Sequence, residues 1–372
     1  MLAKLPSPTR PRRTEAAFVL LAVALGLSGC TTPVVGRWQI GPFTKAADVN
    51  PCLKPTPASP FDCPLNGPVR WEALAVYNPA AVVREGKVHL LYRAQGKDKT
   101  SRIGLAWSDD GFHFTRRGEP VLYPDNDAMK AFEARGGCED PRVVEDGRGH
   151  YVMTYTAYDG KTARLAIATS TDLVHWRKHG LAFAGTYRDE WTKAGAIVSR
   201  QVGHRTVAEL IGGAYWMYLR DSKLLAATSR DLLRWTIVED AQRRPREPLL
   251  PRPGRFDSKL VEPGPAPLLR ADGILMIYNG VNAATGGDGR IPPGTFCGGQ
   301  VLMDKRNPLR VLRRCRGDFI RPDQPYEKTG QVANVCFLES LVLFRGRWLL
   351  YYGTADSRIA VASCPAEATP PR

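Results

Sequence analysis

Apolar positions along the chain fall in short runs bounded by turn residues, the pattern of strands rather than helices. One run recurs behind a glycine, at 86–92, 149–155, 213–218, 273–278 and 346–352, with its leading glycines 63, 64, 60 and 73 residues apart. Self-similarity at such a spacing marks a repeat architecture. A second element follows three of these runs: Ser108, Asp110 and Phe114; Ser170, Asp172 and Trp176; Ser229, Asp231 and Trp235. Ser and Asp side chains bond nearby backbone N–H groups, so the spacing predicts a hairpin turn with an aromatic anchor on the outgoing strand. A third element precedes each glycine run, a polar residue leading an extended segment: Asn78, Asp140, Lys193, Glu262 and Glu339. Together they predict an all-β domain over about 67–364. The economical architecture is a five-bladed β-propeller of four-stranded antiparallel sheets around a central channel. The widest step holds a Gly/Pro-rich insertion at about 284–300, expected as a loop over one face.

In a propeller the innermost strands start near the axis on one face, so the repeat brings Asn78, Asp140, Lys193, Glu262 and Glu339 around one funnel. A second polar ring follows from the ends of the next strands, at Arg93, Arg220, Asn279 and Asp356. Opposed carboxylates among Arg, Asn and aromatic side chains suit glycoside chemistry: one acid protonates the leaving oxygen while another carboxylate activates water. Inversion needs roughly 6.5–9.5 Å between the two, a gap suited to different blades. Tyr77, Tyr158 and Trp191 are candidates to stack on sugar faces.

Composition narrows the partners. The 372 residues are 43% hydrophobic and 24% charged, with 35 glycines and 30 prolines, a globular and turn-rich balance. Residues 1–29 read as an export signal: Lys4, Arg10, Arg12 and Arg13 precede an apolar run at 16–27, too short to span a bilayer as a mature helix. The run ends in Leu27-Ser28-Gly29-Cys30, which resembles a bacterial lipoprotein signal with Cys30 lipidated. The expected location is the cell envelope, membrane-anchored through that lipid, with Thr31 favouring the outer membrane facing the periplasm. Residues 30–66 read as a tether and N-terminal extension, and 365–372 as a tail. Removing the signal takes the formal charge from +15 to +12. Export and the lack of a basic helix or RNA-binding motif argue against a nucleic-acid partner. Cys52/Cys63 and Cys297/Cys315 are candidate disulfides in an oxidising compartment. No CxxC or HExxH supports a metal site, and no Walker or GxGxxG pattern follows a strand, so no cofactor is expected.

Asn78 with Arg93, the segment Glu139-Asp140-Pro141-Arg142, Lys193 with its following Ala-Gly-Ala, and Tyr352 to Asp356 resemble glycoside hydrolase family 130, over about 70–364. The family contains β-mannoside phosphorylases and β-mannosidases on a five-bladed propeller. The resemblance implies Asp140 as the general acid of an inverting reaction, and Arg142 beside it is expected to bind substrate together with Asn78, Arg93, Lys193, Arg220, Asn279 and Asp356. In phosphorylases it implies proton transfer through a mannosyl hydroxyl, and phosphate held by a basic set that includes a histidine in a Tyr-His-Gly context. Here that context reads Tyr278-Asn279-Gly280, while Lys193, Arg93 and Arg220 remain. Hydrolytic members supply glutamates that activate water, a role that fits Glu262 and Glu339. The expectation is an inverting β-mannosidase-like hydrolase acting on an oligosaccharide. The alternatives are an inverting β-mannoside phosphorylase and an envelope carbohydrate-binding lipoprotein without catalysis; related five-bladed enzymes acting on arabinan or fructan match the acidic motifs less well.

Overall fold

A computed structural model describes residues 38–366. Cys30 and the expected signal lie outside the described residues, as does most of the tail. The fold is all-β; among the described residues α-helix is confined to Lys130–Glu133 and Pro325–Lys328, with a 3₁₀ turn at Gly185–Tyr187. Among the described residues no helix is long and apolar enough to cross a membrane.

Antiparallel ladders follow one another along the chain. Ala75–Arg84, Lys87–Gln95, Ser101–Ser108 and Thr115–Arg116 pair in sequence order. Gly137–Glu145, Tyr151–Tyr158, Ala163–Ser170 and Arg177–Leu181 repeat the scheme, as do the shorter Ala196–Ile197, Ala214–Leu219, Leu225–Ser229 and Thr236–Ile237. Leu260–Pro263 and Leu268–Arg270 both pair with Gly273–Val281, which continues to Phe296–Met303 and Val311–Arg314. Cys336–Phe344, Arg347–Thr354 and Arg358–Pro365 form the last ladder, and its outer strand comes from the other end of the chain, Thr44–Lys45. The segment expected as a tether therefore contributes a strand.

Local chemistry explains these hairpins. Gly273 opens its strand as expected, whereas two of the other leading glycines sit in two-residue turns: Glu85 and Gly86 (φ 51° and 72°) and Arg345 and Gly346 (φ 47° and 72°) are both left-handed, as a type I′ turn requires. The Ser-x-Asp turns form as expected. Ser108 Oγ accepts from Gly111 N at 2.8 Å while Asp110 Oδ1 accepts from Phe112 N and His113 N at 2.8 and 2.9 Å. The same contacts recur at Ser170/Asp172 and Ser229/Asp231.

The middle strands are apolar along most of their length because neighbouring sheets cover both faces; Gly273–Val281 is buried throughout. Their tyrosines carry a recurring polar bolt. Tyr92 donates to Glu72 at 2.9 Å, and Glu72 pairs with Arg116 at 3.0 Å. Tyr155 donates to Glu133 at 2.7 Å, which pairs with Lys178. Tyr278 donates to Asp257 at 2.7 Å, which pairs with Arg252 and Arg314. Tyr352 donates to Glu327 at 2.9 Å, which pairs with Lys45 at 2.7 Å. Each carboxylate is 0% exposed, yet each has both a hydroxyl donor and a cation. The short ladder differs: Tyr218 donates to the Pro308 carbonyl at 2.7 Å instead.

The expected disulfides are not formed: the seven described cysteines are free thiols. Their sulfurs are engaged elsewhere. Cys52 donates to Ile359 O, Cys63 to Asn66 Oδ1, and Cys315 Sγ accepts from Gln300 N.

Candidate active site

The polar residues that precede each glycine run do not start their strands; three stand at bulges inside them. The ladders skip between Tyr77 and Pro79, between Glu139 and Arg142, and between Leu338 and Ser340, leaving Asn78, Asp140 and Glu339 out of register. A bulge re-aims a side chain that regular pleating would send into a sheet interface. Asn78 and Asp140 have φ of 48° and 47°, a conformation Asn and Asp tolerate better than most residues. Gly353 makes room for the first: a Cβ there would lie 2.4 Å from Asn78 Oδ1.

These side chains meet. Asn78 Nδ2 donates to Asp140 Oδ1 at 2.9 Å, and Arg93 Nη1 reaches the same oxygen at 3.1 Å. Arg93 also pairs with Glu139 at 2.5 Å and lies over the Tyr77 ring, 4.7 Å from its centroid. Lys193 Nζ stands 3.1 Å from Glu262 and 4.0 Å from Asp221. Arg142 Nη1 stands 3.0 Å from Glu339 Oε1. Asp356 feels the charges of Arg93, Asp140 and Lys193, so it belongs to the same group.

Several polar atoms here have no hydrogen-bond partner although they are buried: both oxygens of Glu339, Oε1 of Glu262, Oδ1 of Asn78 and Nη1 of Arg142. The Arg142–Glu339 and Lys193–Glu262 contacts are ion pairs that leave these carboxylate oxygens without an aligned donor. Burial pushes Glu339 well above the usual carboxylate range despite Arg142. Burial also raises Glu262, with Lys193 opposing. At Asp140 burial is outweighed by Arg93, Lys193 and Asn78, which hold it below its ordinary value. Glu139 is pushed up to about 7 by burial, against the pull of Arg93.

The structure corrects three expected ligand contacts. Asn279 is fully buried, and its amide is spent on the neighbouring ladder, donating to Leu338 O at 2.9 Å and accepting from Leu338 N at 2.7 Å. Arg142 is a strut: Nε and Nη2 donate to Gly264 O and Pro263 O at 2.9 and 2.7 Å, leaving Nη1 for Glu339. Tyr77 is buried beneath Arg93, which removes it as a stacking surface. Trp191 is 40% exposed and meets Tyr158 edge-on, 6.5 Å between centroids, so that pair keeps a free aromatic face. Arg220 is left-handed (φ 77°) and its N–H donates to Lys193 O at 2.7 Å; the residue is half-buried, and among the described residues its guanidinium makes no ion pair. Glu139, Ser101 and Asp221 joined the network unannounced by the repeat. Glu139 is flagged only by its place beside Asp140. A groove of about 650 Å³ lined by Tyr123, Trp176, His179 and Asp125 contains none of these groups. Among the described residues no cluster has the makings of a metal site.

An all-β scaffold that gathers buried carboxylates, cations and an amide in this way has the equipment of an enzyme acting on glycosidic bonds. The chain belongs to glycoside hydrolase family 130: the family model, described as beta-1,4-mannooligosaccharide phosphorylase, matches residues 43–369. A 1,2-beta-oligomannan phosphorylase of Thermoanaerobacter sp. (strain X514) is 31% identical over 78% of this chain and 90% of its own. A solved glycosyl hydrolase from Bacteroides ovatus superposes with TM-score 0.88 at 39% identity, over 90% of this chain and 96% of its own. A further structure has TM-score 0.87 at 40% identity, over 90% and 96% of the two chains. It is described in the words "the GH130 family of mannoside phosphorylases contains glycoside hydrolases that target beta-1,2 mannosidic linkages in Candida mannan". The protein is thus a family 130 enzyme acting on mannosides.

Proposed function

We propose that the enzyme cleaves β-mannosidic bonds with inversion and passes the mannosyl group to water. Asp140 gives its proton to the leaving oxygen as the C1–O bond breaks; Glu262 or Glu339 takes a proton from the water that attacks C1 from the opposite face. The observation that carries this reading is the set of buried Glu262 and Glu339 oxygens that no donor satisfies, since such oxygens accept from a substrate hydroxyl or a water. Pairing favours water over phosphate: of the four cations Arg93, Arg142, Lys193 and Arg220, the first three are already paired with carboxylates, which leaves little free positive charge to hold phosphate. In the free site burial favours the proton on Glu339, while Arg93, Lys193 and Asn78 favour the anion of Asp140. Substrate binding has to draw out the productive form, with Asp140 protonated and a glutamate charged.

Phosphorolysis is the second reading, and by the names of the relatives it is the better supported: the family description and the Thermoanaerobacter relative are both phosphorylases. Within the site, the unpaired Arg220 guanidinium favours it. Assaying β-1,2-linked manno-oligosaccharides, the linkage named for that relative and for the 40% identical structure, with and without phosphate separates the two. Free mannose formed equally under both conditions supports hydrolysis; mannose 1-phosphate formed only with phosphate overturns it. Asp140→Asn is expected to abolish turnover while melting as the wild type does, and substantial residual activity would sink the acid assignment.

The architecture we propose is a five-bladed propeller, supported by the successive antiparallel ladders from Ala75 to Pro365. Export and lipid anchoring at Cys30 rest on residues 1–30 of the sequence alone; a mature chain that carries no lipid on Cys30 would overturn the anchoring.

A further inference from the structure

We propose that Glu139 is a positioning residue that keeps Asp140 able to carry a proton, by competing with it for the Arg93 guanidinium. The inference rests on the reading of Asp140 as the general acid. Glu139 and Asp140 are adjacent at a bulge, so both project towards Arg93 on the neighbouring strand. One guanidinium serves both: Nη2 on Glu139 Oε1 at 2.5 Å and Nη1 on Asp140 Oδ1 at 3.1 Å. The shorter contact is with the residue that has no part in bond cleavage. Glu139 is fixed there by Ser101, whose hydroxyl donates to the same Oε1 at 3.1 Å while accepting from Arg93 Nε at 2.9 Å and Gln95 Nε2 at 3.1 Å. Glu139, Arg93 and Ser101 therefore form a closed ring whose charges nearly cancel, and Asp140 touches its outer edge.

Asp140 faces a strongly charged surrounding. Arg93, Lys193 and Arg142 favour its anion, Asn78 donates to it, and Glu262, Glu339 and Asp356 repel it. Without the Glu139 charge, Arg93 would pair with Asp140 alone, and an unshared cation at hydrogen-bond distance depresses a carboxyl's proton affinity by about one pH unit or more. The acid would then be protonated in fewer molecules at neutral pH.

The test is the pH dependence of kcat/KM for Glu139→Gln, an isosteric change that keeps an acceptor for Ser101. Because the loss lies in the protonation of Asp140, the ratio of wild-type to variant kcat/KM is expected near one at the acid end of the profile, rising to about tenfold at neutral pH. Ser101→Ala, which frees Glu139 from its donor, is expected to shift the ratio the same way by less. A ratio constant across pH would mean a purely structural role and overturn the proposal, as would an unchanged profile. Asp140→Asn separates the two levels: if it is active, the acid assignment fails; if it is inactive while the Glu139→Gln ratio stays flat, only this inference fails.

Discussion

Two populations of buried carboxylates occupy this fold, and they are treated in opposite ways. Beside the middle strands Glu72, Glu133, Asp257 and Glu327 each receive a tyrosine hydroxyl and a cation, so the cost of burying charge is offset by bonds in good geometry. Around Asp140, the equally buried Glu262 and Glu339 have cations beside them but no aligned donors. The first arrangement fastens neighbouring segments together. The second leaves acceptor capacity unused in the folded protein, which selection for stability alone would remove. Satisfaction of the buried acid, more than its burial or its charge, separates structural from functional carboxylates here.

The sharpest way to break this comparison is kinetic. Glu262→Gln and Glu339→Gln are each expected to keep the fold, and the one that serves as base to lower kcat/KM by about 10²–10⁴-fold. Glu327→Gln should leave kcat per folded molecule within about twofold. Steady-state rates on a β-1,2-mannoside check both, and a comparable loss at Glu327 would erase the distinction.

The next effect is on stability and runs the other way. Glu327 accepts from Lys45, Tyr352 and the Asp323 and Gln324 amides, and through Lys45 it secures the N-terminal strand to the last ladder. Glu327→Ala removes the acceptor of the Tyr352 hydroxyl and the buried partner of Lys45, which keeps Asp323 and the Arg321 carbonyl, and is expected to cost about 1–3 kcal/mol in denaturant unfolding. Glu339→Gln should instead stabilise at neutral pH. The sign follows from its raised proton affinity. Above the ordinary glutamate value the folded state holds a proton that the unfolded chain has released, so stability from this group is fullest in acid and declines as pH rises towards its folded value. The variant lacks that decline. Melting both proteins from pH 4 to 8 should show a gap that widens with pH; a constant gap would mean that Glu339 is ionised in the folded protein.

The sequence made the repeat legible because hairpin turns and apolar runs are local: the Ser-x-Asp turns recur as three residues in fixed register. It made the convergence of Asp140, Lys193, Glu262 and Glu339 legible as well, since equivalent positions in a closed repeat meet. It could not reveal that Asn279 and Arg142 are consumed by the Leu338, Pro263 and Gly264 backbone. Those bonds cross between ladders, and no local pattern encodes which carbonyl lies opposite. The tyrosine bolts were hidden for the same reason: Glu72, Glu133, Asp257 and Glu327 stand 20, 22, 21 and 25 residues before their tyrosines, in loops or short helices without a common motif.

The smallest expected effect tests whether those bolts act through charge. Tyr155 and Tyr218 stand at matching places on successive glycine runs, but Tyr155 donates to a carboxylate and Tyr218 to the Pro308 carbonyl. A hydrogen bond to a charged acceptor contributes about 1.5–3 kcal/mol, and a neutral one about 1 kcal/mol. Removing the Tyr155 hydroxyl also takes away one of the donors that hold the charged Glu133 in the interior beside Lys178. Tyr155→Phe should therefore cost more than Tyr218→Phe, by about 1 kcal/mol in paired denaturant melts. The difference should shrink in a Glu133→Gln background, where both acceptors are neutral. If the two tyrosines cost the same in the wild-type background, the carboxylate adds nothing to the bolt, and satisfied acids beside the middle strands would need another reason to be there.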